Sequence, residues 1–332
     1  MSEEIKIFRR ATLASIITST YPMIVVGCYF GVTPWNMNRL SIDESDLSFA
    51  ILLFGIFFII SNQIAGRILV PKYGTKLIMS LAFPFVTFST LLSIVSPSYF
   101  YFLLTSIPAG IGWGASGPIG GIHTQLIEQH FKKIITPYYA MGFNLGILIG
   151  GGLAGIIMRY NYEPYVFLTI LSFLSIFISF FVFSFGLPRN LDFKGVGEKF
   201  KIPETNVLLF GFLLFFIFGS GGIIMDWSTL WLSKDLNAPL YLASMGLIFF
   251  SIGAIFANLF SNSLINLFSE KVVGCHFVMI GASIMLLSLL TNNFYIILVV
   301  LSIYGFAIAN LVPIVIRQAV KQSNESIPMT VT

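Results

Sequence analysis

One carboxylate stands apart from every other charge in this sequence. Asp226 lies in FGSGGIIMDWSTLWL, residues 218 to 232, beside Trp227 and Trp231. A lone acid in a long apolar run is costly to hold in a bilayer, which makes it a candidate functional group. The other ionisable cluster is His123, Glu128 and His130, and His276 stands alone. Neither group has metal-ligand spacing, and Cys28 and Cys275 fall in separate apolar runs. No Ser/His/Asp arrangement, phosphate-binding loop or pair of carboxylates is present, so no enzyme, cofactor or metal is expected. The chemistry left to Asp226 is electrostatic. It can clamp polar groups across an entrance, or it can mark where a helix meets water.

The elements that carry these residues are membrane spans. The chain has 332 residues, of which 56% are hydrophobic and only 10% charged, with a mean hydropathy of +0.90. A soluble domain averages roughly 25% charged residues, so this chain cannot cover a water-facing surface and is an integral membrane protein in a lipid bilayer. Its pI of about 9.0 does not indicate nucleic acid, because the basic residues fall in short runs between apolar segments. No small-residue cleavage site follows the first apolar run, which is read as an uncleaved span.

A helix crosses a bilayer with about 20 apolar residues. Ten stretches qualify: 11–35, 48–70, 75–95, 99–122, 135–158, 164–186, 205–232, 239–267, 271–292 and 294–317. Of the 18 Lys and Arg, only Arg39, Arg159 and Lys234 fall on one side of this arrangement. The positive-inside rule then places both termini and the loop LPRNLDFKGVGEKFKIPE, 187–204, in the cytoplasm. That loop divides the chain into an N-terminal six-helix bundle (1–186), a cytoplasmic linker (187–204) and a C-terminal bundle of four helices (205–332). Six spans, a basic loop and further spans is the layout of transporters built from two six-helix halves, with two spans expected to be lacking at the end.

Within the spans the polar residues are mostly neutral. Tyr21, Asn62, Gln63, Asn144, Tyr304 and Asn310 are candidates for substrate binding or gating, together with Asp226. Hydroxyl and amide groups of this kind suit a neutral or weakly polar ligand, and they also serve to pack helices. Gly142, Gly146 and Gly150 recur every four residues, the spacing that lets two helix backbones approach closely. Asn258, Asn262 and Asn266 repeat at the same interval and are expected to bond a neighbouring helix. Asp226 is 21 residues beyond Thr205, or roughly 31 Å along a helix, which puts it near the outer interface. Gly219, Ser220, Gly221 and Gly222 precede it and weaken the helix where a gate could bend.

The segment QIAGRILVPKYGTKLIM, 63–79, resembles the loop between the second and third spans of the major facilitator superfamily. That family carries G-x-x-x-D-R-x-G-R-R/K there. Lys72, Gly74 and Lys76 match its basic end, Arg67 falls at the first glycine, and Pro71 replaces the aspartate. The order Asp226-Trp227-Ser228 with Trp231 in the seventh span resembles a bacterial branch that includes fucose-permease-like carriers. The resemblance covers essentially the whole chain. It implies an all-α, facilitator-like bundle of about ten transmembrane helices (six plus four) in a bacterial inner membrane. It further implies a secondary transporter of a small organic solute working by alternating access. Proton-linked members often have an arginine in span four, where this chain has Ser106. Coupling to protons is therefore expected to be weak or absent. The alternative is a truncated or non-transporting scaffold or receptor derived from such a carrier.

Overall fold

The computed structural model describes residues 3–193 and 205–322. Part of the predicted linker, 194–204, and the last residues after 322 lie outside the described residues. The first stretch holds α1 (Glu3–Gly31), α2 (Thr33–Leu40), α3 (Glu44–Ile64), α4 (Val70–Tyr73), α5 (Thr75–Val95), α6 (Tyr99–Phe131), α7 (Thr136–Arg159) and α8 (Pro164–Phe185). The second holds α9 (Thr205–Leu230), α10 (Leu240–Ala243), α11 (Met245–Leu259), α12 (Ser261–Lys271), α13 (Phe277–Ser288), α14 (Phe294–Ile308) and α15 (Leu311–Gln322). Five-residue π-helical turns join α3 to α4, extend α9, and join α12 to α13. No strand occurs among the described residues.

Among the described residues, nine helical stretches are long and apolar enough to cross a membrane. The tenth expected span is α6, which is a continuous helix of 33 residues but carries many glycines, two prolines and several polar groups. Helix ends follow local chemistry. Asp43 and Asp46 form a reciprocal capping box at the start of α3, with Asp46 N–H donating to Asp43 Oδ1 at 2.9 Å. Asn293 accepts from the N–H groups of Tyr295 and Ile296 to open α14. Phe180 and Phe215 are 70% and 71% exposed on charge-free faces. Only lipid covers such surface without penalty.

The glycine ladder has the predicted use. A Cβ on Gly142 would lie 2.5 Å from Ser19 Oγ, one on Gly146 2.5 Å from Met23 Cβ, and one on Gly150 2.6 Å from the Cys28 nitrogen. These contacts lock α7 against α1. The asparagine stripe behaves differently: the side-chain amide of buried Asn258 has no hydrogen-bond partner among the described residues. The amide that reaches across is instead Asn310, donating to Ala257 O at 3.0 Å.

The two stretches repeat the same architecture. Gly305 follows Gly110 by 195 residues, and each faces a Phe backbone carbonyl on the long helix two spans earlier, Phe250 O in α11 and Phe54 O in α3 respectively. Gly74 (φ 82°, ψ 162°) stands between α4 and α5; Ser269, again 195 residues on, holds nearly the same backbone (φ 74°, ψ 156°) inside α12. Glycine adopts that conformation freely, but an L side chain is strained in it.

Candidate gate and binding site

One end of the bundle carries Arg39, Arg159 and Lys234, and here the two stretches are tied together. Thr229 Oγ1 donates to Phe30 O at 3.1 Å. Lys234 pairs with Glu44. The Arg159 guanidinium lies 5.9 Å from the Tyr241 ring centroid. Apolar contacts reinforce these bonds. Trp227 and Leu230 pack with Met37, Leu47, Ala50 and Phe102. Ser244 sits against Gly31 and Gly155, so α7 and α11 meet through small residues. The pair Lys234–Glu44 has half-exposed partners, and exposed pairs contribute about 0–1 kcal/mol. The apolar seal and the close helix approach therefore hold this end shut.

Asp226 sits one turn before Thr229, where the seal begins. It has no hydrogen bond or ion pair among the described residues. The polar contacts across the end are made by Thr229 and Lys234, further along the same helix. Met225 belongs at once to the core around Leu232, Phe250 and Leu301 and to the core around Met23, Ile147 and Leu247, so it bridges the two stretches. Next to it, Phe30 and Phe54 meet Trp113 edge-on, with centroids 6.4 and 5.9 Å apart. Gly219, Gly221 and Gly222 have nothing within 4 Å of an added Cβ. They are not close-approach positions, and α9 runs through them unbroken.

The other candidate residues are scattered rather than gathered. Tyr21 Oη donates to Leu171 O at 2.7 Å, joining α1 to α8. Asn144 Nδ2 donates to Ala140 O in its own helix. Tyr304 is buried beside Phe250, with ring centroids 6.4 Å apart. Asn62 and Gln63 lie near the end of α3, where Asn62 Oδ1 is buried without a hydrogen-bond partner among the described residues while Gln63 and Arg67 are engaged. Ser106 Oγ donates to Phe102 O, one turn back in its own helix.

The basic loop is held by a residue the sequence did not single out. Asp192, in the first described residues of the linker, accepts from Thr75 Oγ1 at 2.8 Å and from Lys76 N–H at 3.3 Å. A carboxylate there also meets the positive end of the α5 dipole. The loop's own position for an acid holds Pro71, so the charge comes from 116 residues away in sequence. Arg189 Nη2 donates to Pro71 O and Lys72 O. The Lys72 ammonium lies over Tyr73, and that of Lys76 over Phe183. Gly74 fits because an added Cβ would strike Arg189 and Asp192.

His123 and Glu128, noted for their type, prove to be struts of the basic end. Leu187 N–H donates to His123 Nε2 at 3.0 Å, which leaves the proton on Nδ1 to reach Ser15 Oγ at 2.7 Å. This fully buried ring thus joins α1, α6 and the start of the linker. Glu128 Oε1 accepts from Ile135 N–H, Thr136 N–H and Thr136 Oγ1 at 2.6, 2.6 and 2.8 Å, capping α7.

The chain is thus a lipid-exposed helical bundle in two repeated parts, tied together at one end by Thr229, Lys234 and the packing of Trp227 and Leu230. The sequence pattern of the Major Facilitator Superfamily matches residues 11–327, and the chain belongs to that family. It is 20% identical over 302 residues to an uncharacterised MFS-type transporter of Yersinia pestis, covering 88% of this chain and 76% of the relative. In fold it is similar to the human organic anion transporter TETRAN (TM-score 0.70, 14% identity, 100% of this chain and 89% of that one). It is likewise similar to a D-xylose-proton symporter (TM-score 0.67, 13% identity, 99% and 86%). Members of this family are transporters, not enzymes.

Proposed function

We propose that the chain is a secondary carrier that moves a small organic solute across a bacterial inner membrane by alternating access. In this reading the halves, 1–186 and 205–332, rock about a central site, and the linker 187–204 joins them in the cytoplasm. The positive-inside rule assigns the end bearing Arg39, Arg159 and Lys234 to the outside. The single observation that carries the proposal is the closure of that end through contacts that can part without unfolding either half. Thr229–Phe30 O, Lys234–Glu44 and the Trp227/Leu230 packing all join surfaces of separate bundles. Alternating access needs such a seam. Asp226 stands just beneath it, and the open-faced glycines before it give α9 a place to flex.

Transport is expected to be facilitated or weakly coupled. The position where proton-linked members often hold an arginine is Ser106, whose hydroxyl is engaged by its own helix. Tyr21, Asn144, Tyr304 and Asn310 act in this reading as internal struts, and Asn62 and Gln63 belong to the cytoplasmic mouth. The test is uptake of a panel of organic solutes by proteoliposomes, with and without a pH gradient. Uptake of at least one solute without a gradient supports the proposal. No flux of any member under either condition would leave the scaffold alternative standing in its place.

A further inference from the structure

At the opposite, basic end, cations gather around the start of α1. Lys6, Arg9 and Arg10 are exposed on its first turns. Neither they nor the exposed Lys132 and Lys133 form an ion pair among the described residues. Successive residues of a helix stand about 100° apart, so Arg9 lies between Phe8 and Arg10 around the axis. On the Phe8 side is the end of α6. Phe8 meets Phe131 with ring centroids 5.2 Å apart, and the Lys133 ammonium stands 4.7 Å from the Phe8 centroid. On the Arg10 side is the end of α8, with the guanidinium 5.4 Å from the Phe185 centroid. The cations thus form one arc from α6 across α1 to α8. Lys132 joins it from the left-handed residue that ends α6 (φ 55°), a position where glycine would be less strained. Nearby acids leave the arc unneutralised: Glu3 and Glu4 form no ion pair with it, and Glu128 is spent on the α7 N-terminus. Below the cations the surface turns apolar. Leu13 is 42% exposed, and it follows Lys6, Arg9 and Arg10 on one stripe of α1 that continues to Ile17. α7 flanks this stripe on one side, with Gly142 against Ile16 O and Gly146 against Thr20 O. α8 flanks it on the other, through Tyr21 and the Phe181–Phe185 stack.

We propose that Lys6, Arg9, Arg10, Lys132 and Lys133 hold the phosphate of an anionic phospholipid whose acyl chains lie along the Leu13 stripe between α7 and α8. The phosphodiester is opposite in charge to the arc, and its oxygens suit the fork of an arginine. Basic clusters at the membrane surface attract such headgroups. The ring contacts of Arg10 and Lys133 hold two of the cations in place, so less order is lost when the lipid arrives. The apolar stripe favours a lipid over a soluble phosphate or an acidic peptide, because it leads from the cations directly into the lipid-facing surface. The positive-inside rule needs basic residues at this end, but it does not need them drawn together at the head of an apolar furrow. The site stands whether or not the chain proves to be a carrier.

The experiment titrates the purified full chain in detergent with dioleoyl phosphatidylglycerol or dioleoyl phosphatidylcholine, which share acyl chains and differ in charge, and counts bound lipid by native mass spectrometry. The anionic lipid is expected to bind about tenfold more tightly. The triple variant Arg9→Gln, Arg10→Gln, Lys133→Gln is expected to lose that preference. A control triple, Lys72→Gln, Lys271→Gln, Arg317→Gln, removes as much charge from other helices and is expected to keep it. Melting temperature checks that both variants fold. A measurement on the wild type alone runs beside these: phosphatidylglycerol with a diazirine in its acyl chain is expected to label α1 near Leu13 or the facing turns of α7 and α8. Equal binding of the two lipids, an unchanged preference in the folded first triple, or equal loss in the control triple would each overturn the proposal. So would labelling confined to other helices. Displacement of the lipid by glycerol 3-phosphate at comparable concentration would overturn it too, because the site would then read a free phosphate and not a lipid.

Discussion

Replacing Ser269 by glycine is expected to stabilise the protein, although glycine inside a helical segment ordinarily does the opposite. Ser269 holds φ 74° and ψ 156°, a region that costs a non-glycine residue about 1–3 kcal/mol. Glycine removes that strain, at an entropic cost of about 0.5–1 kcal/mol from the freer unfolded chain. The balance is a gain of about 1 kcal/mol. For a unit of 150–250 residues this corresponds to roughly 2–4 °C in melting temperature. The assay is thermal unfolding of purified protein in detergent, followed by tryptophan fluorescence or loss of monodispersity. The equivalent position in the first half gives the opposite sign: Gly74→Ser introduces the same strain and adds a clash with Arg189 and Asp192. A lower melting temperature for Ser269→Gly would refute the reasoning, because it would mean that Ser269 does not occupy the strained conformation.

Further outcomes follow from the same geometry. Gly146→Leu is expected to separate α1 from α7 and abolish folding, whereas Gly221→Ala, with open space around it, is expected to stabilise α9 by about 0.5–1 kcal/mol and to slow transport if that segment bends; melting temperature and uptake rate read both. Glu128→Leu removes the acceptor for Ile135 N–H, Thr136 N–H and Thr136 Oγ1 at the α7 N-terminus and is expected to cost about 2–3 kcal/mol, measured as a fall in melting temperature. Asp192→Asn is expected to be milder, since the amide oxygen can still accept from Thr75 and Lys76, while Asp192→Leu is expected to loosen the basic loop, read as faster proteolysis at Lys72 and Lys76.

Much of the fold was legible because each span writes its own signature in hydropathy. The α7 ladder of Gly142, Gly146 and Gly150 announced a close helix crossing, and the loop at Lys72–Lys76 announced its family. What was hidden depends on pairs that are distant in sequence. Glu44 and Lys234 are 190 residues apart, Ser15 and His123 are 108 apart, and Asp192 caps a helix 116 residues before it. No local pattern distinguishes these side chains from ordinary loop or span residues. His123 and Glu128 were visible as types, but a ring or carboxylate used as a strut looks in sequence like one used in chemistry. Ser269 could have been found by aligning the halves at an offset of 195 residues, where Leu69 meets Leu264, Gly74 meets Ser269 and Lys76 meets Lys271. Asp226 is the mixed case. The polar contacts expected of it across the closed end are made instead by Thr229 and Lys234, whose partners Phe30 and Glu44 lie far away in sequence.

The most direct test of the account is the distance between spin labels at Glu44→Cys and Lys234→Cys, measured with Cys28 and Cys275 replaced by serine in the full chain reconstituted in liposomes, across a panel of organic solutes. Two resolved distances whose populations shift with solute, the short one matching the paired arrangement seen here, are what a rocking carrier predicts. A single short distance under every condition would contradict it, because this end would then be a fixed seam and not a gate.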